Sequence, residues 1–230
     1  MRHCFVGADL GQTRDPSAIA IVERAELVGE WDAGRFAFRK KVARQLRFLE
    51  RMPLGTPYPE VVDRVEEVTE APGVVEQCHL VVDGTGVGPP VVDMIRERRL
   101  KCALMAAKIT SGDRESMEDG YYKVPKRNLI VGLQVLLQRG GLQIAEGLPL
   151  GRELVAEMAA MEVRVTHSGH EQYGAWRVGK HDDMVLAVAL ACWGIQKTYP
   201  YALQGDDQWW RNPRQADVER VFRGVNKKKI

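Results

Sequence analysis

Residues 182–197, DDMVLAVALACWGIQK, form a nearly all-apolar stretch that opens on two adjacent carboxylates. The pattern predicts a buried helix whose first turn carries Asp182 and Asp183 to the margin of a core. A helix of this kind needs a sheet to lie on, and the rest of the chain supplies strands. His3 to Ala8 and Ser17 to Glu23 are short apolar runs separated by a segment rich in Gly, Asp and Pro, which predicts a hairpin with a long loop. Arg35 to Leu46 alternates loosely between apolar and basic residues, as a third antiparallel strand with one wet face would. HLVVD (79–83), GTGVGPP, the amphipathic VVDMIRERR and the apolar run Cys102 to Ala107 then read as strand, helix and strand. That spacing is a parallel crossover unit, and the fold class is α/β.

Further helices are predicted behind Pro59, from Val61, Val62, Val65 and Val68, and over 126–139, ended by Gly140 and Gly141. Another follows Pro149, with Leu154, Met158 and Met161 on one face. Residues 163–167 and 172–178 read as an auxiliary β-hairpin before the last helix, and 108–125 as a polar surface excursion. From Tyr199 the chain turns aromatic, polar and finally basic. Residues 1–198 are therefore taken as one domain and 199–230 as a tail.

With 45% hydrophobic and 28% charged residues, the 230-residue chain has the composition of a folded domain. Its net charge of +2 is too small to argue for a polyanionic partner, so any such case rests on where the charges sit. The four cysteines are scattered without a C-x-x-C pair, which suggests neither a zinc site nor a disulfide framework and fits a reducing, cytoplasmic setting. No segment has the pattern of an export signal or the length of a membrane span, and no P-loop motif is present.

Asp9, Asp83 and the Asp182–Asp183 pair all lie at the ends of buried apolar elements. Singly each has a plain explanation: Asp starts turns, D-G ends strands, and an acid before a helix caps it. Jointly they predict carboxylates from two strands and one helix meeting at one place. Such a cluster repels itself unless a cation neutralises it, and all-oxygen donors favour Mg²⁺ or Mn²⁺. Two such ions roughly 3.5–4 Å apart are suited to phosphodiester hydrolysis.

GADLGQTRDPSAIAIVE, HLVVDGTGVGPPVVDMI and GKHDDMVLAVALA, in that order, resemble the signature motifs of the nuclease domain of phage large terminase subunits, the DNA-packaging motors. VPKRNLIVGLQVLLQRGGLQIAEGLPLGRELVAEM resembles that family's helical stretch, so the likeness spans residues 3–198. It implies a ribonuclease H-like fold, a mixed five-stranded sheet flanked by helices with its first three strands antiparallel. Asp9 then matches the first-strand metal ligand, Asp83 the acid ending the fourth strand, and Asp183 the last ligand, on the helix. Asp182 is a further ligand or supports one, and Asp15 braces the hairpin loop, with a metal contact left open.

The implied activity is a two-metal, Mg²⁺- or Mn²⁺-dependent endonuclease acting on double-stranded DNA during packaging. A large terminase carries an ATPase ahead of its nuclease, whereas this chain opens at the nuclease's first strand. It is either an excised domain or a free-standing nuclease that works with a separate packaging ATPase, small terminase or portal; Met1 favours the second. Lys180, His181, Arg177, Lys108, Lys126 and Arg127 are the candidate phosphate contacts, with Lys123 beside them. The basic residues after Gln208 suit DNA or a packaging partner, whereas Trp209 and Trp210 either stack on bases or pack against the domain, with packing the better expectation for at least one. The competing readings are a Holliday-junction resolvase-like nuclease and a non-catalytic docking module.

Overall fold

The computed structural model describes residues 2–11, 15–34, 36–85, 89–165, 171–174 and 181–200. In chain order the elements are β1 (Arg2–Asp9), β2 (Ala18–Asp32), β3 (Ala37–Arg51), α1 (Tyr58–Thr69), β4 (Cys78–Asp83), α2 (Pro89–Glu97) and β5 (Ala103–Thr110). They continue with β6 (Ser116–Glu118), β7 (Tyr121–Pro125), α3 (Lys126–Gln138), β8 (Gln143–Ile144), α4 (Gly151–Ala160), β9 (Glu162–Val165), β10 (Glu171–Gly174) and α5 (Asp183–Thr198).

The expected five strands stand in the order β3-β2-β1-β4-β5, with β1, β2 and β3 antiparallel and β4 and β5 parallel to β1. Three more strands extend this sheet to eight: β7 and β6 beyond β5, and β8 beyond β3. The segment 108–125, expected as a polar excursion, is therefore largely sheet. Its strand β7 pairs parallel with β5, burying Tyr121 and Val124, while the intervening Lys123 side chain reaches Glu118 of β6. The mixed sequence Tyr121–Pro125 hid a strand that is only partly buried. The auxiliary hairpin is present as β9 and β10, paired antiparallel.

Period-two alternation sorts the strand residues onto two faces. Phe5, Val81 and Ala107 join a core with α3, α4 and α5; Val6, Ala8, Leu80 and Val82 join one with α1 and α2. Helix α5 is buried continuously from Asp183 to Ile195, which explains its lack of a polar face. It lies directly on β1 because glycine occurs where the two backbones meet: a Cβ at Gly7 would stand 2.0 Å from the Ala187 carbonyl oxygen. From the helix side, a Cβ at Gly194 would meet Val81 Cγ2 at 2.6 Å.

Strands β2 and β3 run well past the apolar stretches that announced them. β1 begins opposite Ala25, so beyond that point the two strands pair only with each other. Val28, Trp31, Phe36 and Phe38 on this projecting ribbon are exposed, and no buried face marks it in the sequence. Among the described residues no helix is long and apolar enough to cross a membrane.

Candidate active site

The sheet register places Arg51, Ala18, Asp9, Asp83 and Ala107 in one row across β3, β2, β1, β4 and β5. Asp9 and Asp83 are direct partners on parallel strands, which lie about 4.8 Å apart. Each shares its parity with residues of the α5-side core: Asp9 with Phe5, Asp83 with Val81. Both carboxylates thus face the start of α5, where Asp183 is 2% exposed. This juxtaposition follows from three elements ending together at the same sheet edge.

Each acid has its own support. Asp83, 8% exposed, accepts hydrogen bonds at Oδ1 from the Thr85 backbone N–H (2.9 Å) and from the Thr85 hydroxyl. Thr85 in turn accepts the Ile109 backbone N–H at 2.6 Å, and Gly84 donates to the Ala107 carbonyl at 2.8 Å, so the turn after β4 is tied to β5. Asp183 is gripped by both ends of the Arg51 fork, Nε to Oδ2 at 2.8 Å and Nη2 to Oδ1 at 3.2 Å. Arg51 also donates to the buried Glu157 of α4. Asp182 accepts from Lys126 Nζ at 2.7 Å.

The electrostatics are those of a site with too much negative charge. Burial, then repulsion from Asp83, Asp182 and Asp183, pushes the Asp9 carboxyl well above the usual carboxylate range. Burial also raises Asp83, against the opposing Thr85 and Ile109 hydrogen bonds and the Lys126 charge. Asp183 is raised by burial despite Arg51. Among the described residues no three His, Cys, Asp or Glu side chains are gathered tightly enough to hold one ion. Asp183 and Asp182 are instead turned toward Arg51 and Lys126.

A raised carboxyl has a definite consequence for stability. Asp9 keeps its proton in the fold after an unfolded chain has lost it, so stability is full below the ordinary carboxylate pKa. It is lost as pH rises through the folded-state value. In EDTA, Asp9→Asn is expected to raise the urea unfolding midpoint at pH 8 and leave it unchanged near pH 3, read by circular dichroism. An unchanged midpoint at pH 8 would mean that Asp9 carries no such strain.

No protein-family profile matches the chain, and no curated protein sequence does. Solved structures do. The large terminase nuclease from the thermophilic phage G20c aligns with a TM-score of 0.56 at 21% identity, covering 83% of this chain and 81% of that one. The Thermus phage P74-26 large terminase nuclease domain aligns at 0.52 and 19%, covering 83% and 78%. The HK97 bacteriophage large terminase aligns at 0.50 and 13%, covering 84% of this chain and 39% of its own. This chain has the fold of the large terminase nucleases.

Within that fold, Asp9 and Asp83 are in register, with Asp182, Asp183 and Lys126 within electrostatic reach of Asp9. His181 Nδ1 stands 3.3 Å from Asp15 Oδ1, and both side chains reach the surface. The hairpin loop is held by Ser17, whose Oγ accepts the Gly11 N–H at 3.1 Å. Arg127 follows Lys126 in the first turn of α3. Lys108 is placed elsewhere: its ammonium lies 4.3 Å from the centroid of the Tyr121 ring. Tyr121 packs with Val92 of α2 and Ala106, on the sheet face away from the acids. Arg177, Lys180 and the tail candidates Trp209 and Trp210 lie outside the described residues.

Sequence reasoning missed Thr85, Arg51 and Glu157. Thr85 had a signal, since a hydroxyl two residues after a strand-ending Asp is placed to close an Asx-type turn. Arg51 and Glu157 had none. Both are charged residues within amphipathic stretches, where a solvent-facing side chain is the ordinary outcome.

Proposed function

We propose that the chain is a Mg²⁺- or Mn²⁺-dependent DNA endonuclease of the terminase type, cutting double-stranded DNA during viral packaging. The observation that carries this reading is the Asp9–Asp83 pair in register on β1 and β4, facing Asp183 at the start of α5. The half-buried Asp9 and the buried Asp83 and Asp183 offer hard oxygen donors in a site with excess negative charge, which suits a divalent cation. The similarity to a G20c nuclease structure with bound magnesium, again at a TM-score of 0.56, supports the same assignment.

Asp9, Asp83 and Asp183 are the proposed ligands, with Asp182 as a fourth or as the residue that tethers Lys126. Divalent ions bound there supply water activation and charge stabilisation at the leaving oxygen. The residues contribute position. Neighbouring strands fix Asp9 and Asp83, and the Thr85 turn locks the Asp83 rotamer. Arg51 neutralises Asp183 in the metal-free protein, and Lys126 lowers the repulsion among the acids. Lys126, Arg127 and His181 are the proposed phosphate contacts on the side of the carboxylates, with Lys108 a more distant one, and Lys180 and Arg177 are proposed from the sequence. Asp15 is proposed to orient His181. We assign residues 1–198 to the nuclease domain and 199–230 to a basic arm for DNA or a packaging ATPase, small terminase or portal, with the work done in the host cytoplasm.

The test is metal add-back. EDTA-treated protein is expected to nick and linearise supercoiled plasmid with Mg²⁺ or Mn²⁺, with Mn²⁺ the more tolerant of imperfect geometry, and poorly with Zn²⁺. Strong activation by Zn²⁺ alone would contradict an all-carboxylate site. A preference for four-way junctions over linear duplex would move the assignment to a junction resolvase. Absence of cleavage with every metal would leave a docking module.

A further inference from the structure

Arg51 is shared between two buried carboxylates that belong to different elements. Its fork occupies both oxygens of Asp183, through Nε at 2.8 Å and Nη2 at 3.2 Å. The same Nη2 also donates to Glu157 Oε1. Glu157 is only 8% exposed, and its other oxygen, Oε2, is buried with no hydrogen-bond partner in the structure. An unfilled acceptor on a buried carboxylate is costly, and it adjoins a guanidinium whose Nε and Nη2 are both engaged with Asp183. One cation thus has two seats, the first full and the second half used.

We propose that Arg51 is a resident cation that covers Asp183 in the metal-free protein and moves onto Glu157 when a divalent ion binds. The inference rests on the reading of Asp183 as a metal ligand. With both Asp183 oxygens engaged by the fork, an incoming ion competes with the guanidinium for the charge and the free lone pairs of this carboxylate. A freed guanidinium in this partly buried position needs an anion. Glu157 already holds one of its N–H groups and offers Oε2 for a second, completing a bidentate pair without a large movement. Arg51 and Glu157 are then positioning residues: neither touches DNA or the reacting phosphate, and both set how readily Asp183 is given up to metal.

The arrangement predicts a thermodynamic coupling that a merely structural ion pair lacks. Mn²⁺ binding to the full chain, without DNA, is measured by titration calorimetry for the unaltered protein, Glu157→Gln, Arg51→Met and the double variant. Glu157→Gln removes the second seat, so Mn²⁺ affinity is expected to fall about tenfold, within the usual range of coupling between sites. Arg51→Met removes the competitor, and Mn²⁺ is expected to bind several-fold tighter. In the Arg51→Met background, Glu157→Gln is expected to change Mn²⁺ affinity less than about twofold, because its effect acts through Arg51. If Arg51→Met fails to fold, Arg51→Lys takes its place: a point charge cannot fork, and the Glu157→Gln effect is expected to shrink.

Equal Mn²⁺ affinity in the unaltered protein and Glu157→Gln would overturn the proposal, as would a tenfold loss that persists without Arg51. Failure of the underlying reading looks different: the unaltered protein would then take up no Mn²⁺, or would bind it as well after Asp83→Asn.

Discussion

Asp83→Asn is expected to lower Mg²⁺-dependent plasmid cleavage by at least about 10³-fold while leaving the circular dichroism spectrum and melting cooperativity intact. Asp83 is the acid most firmly built into the sheet: it ends β4, it is register partner to Asp9, and Thr85 fixes its carboxylate from the neighbouring turn. Asparagine keeps the size and one acceptor oxygen, so the Thr85 bonds survive in part. What it removes is the charge, and with it most of the affinity for a hard cation. A loss of about 10³ corresponds to roughly 4 kcal/mol of transition-state stabilisation, a typical order for removing one charged group at a preorganised electrostatic site. The substitution also relieves burial and repulsion around a carboxyl whose proton affinity is raised, so the metal-free variant is expected to melt higher at pH 8. Cleavage retained within a few-fold of the unaltered protein would remove Asp83 from the mechanism.

Gly7→Ala is expected to destabilise the fold strongly. The added Cβ would sit 2.0 Å from the Ala187 carbonyl oxygen and 2.8 Å from the Ala191 backbone nitrogen. Both atoms are backbone of α5, so no rotamer change relieves the contact. Either the helix lifts from β1 or the strand bends, at a cost of about 3 kcal/mol or more. For a domain of this size that is a fall in melting temperature of roughly 6–12 °C. Gly112→Ala is the matched control: its nearest neighbour, Thr110 Oγ1, stands at an ordinary 3.7 Å, and no change in melting is expected. Because α5 carries Asp183 while β1 carries Asp9, a Gly7→Ala protein that still folds is also expected to bind Mn²⁺ more weakly. A melting temperature equal to that of the control would show that α5 does not lie on β1 as closely as the two glycines require.

Much of this architecture was legible in the residues because burial imposes a period. The alternation in β1 and β4, the valines of α1 and the all-apolar face of α5 are direct records of what each element packs against. The acids were legible for a related reason. An Asp that interrupts a buried run at its end is conspicuous, and the shared polarity of the element ends implied a common edge. The projecting half of the β2–β3 ribbon and the strand β7 were not legible. One buries no face, and the other buries a half face beneath alternating lysine and tyrosine.

Chain order and local pattern alone therefore marked the five central strands and the helices packed on them, and nominated Asp9, Asp83, Asp182 and Asp183 as the residues worth bringing together. Only the tertiary structure decided that Asp9 and Asp83 are in register, that Asp183 is held by Arg51, and that Glu157 competes for the same guanidinium. The physical reason is range. Hydrophobic periodicity is written into neighbouring residues. An ion pair between positions 106 or 132 residues apart leaves no local trace until the sheet register and the helix packing bring its partners to one point.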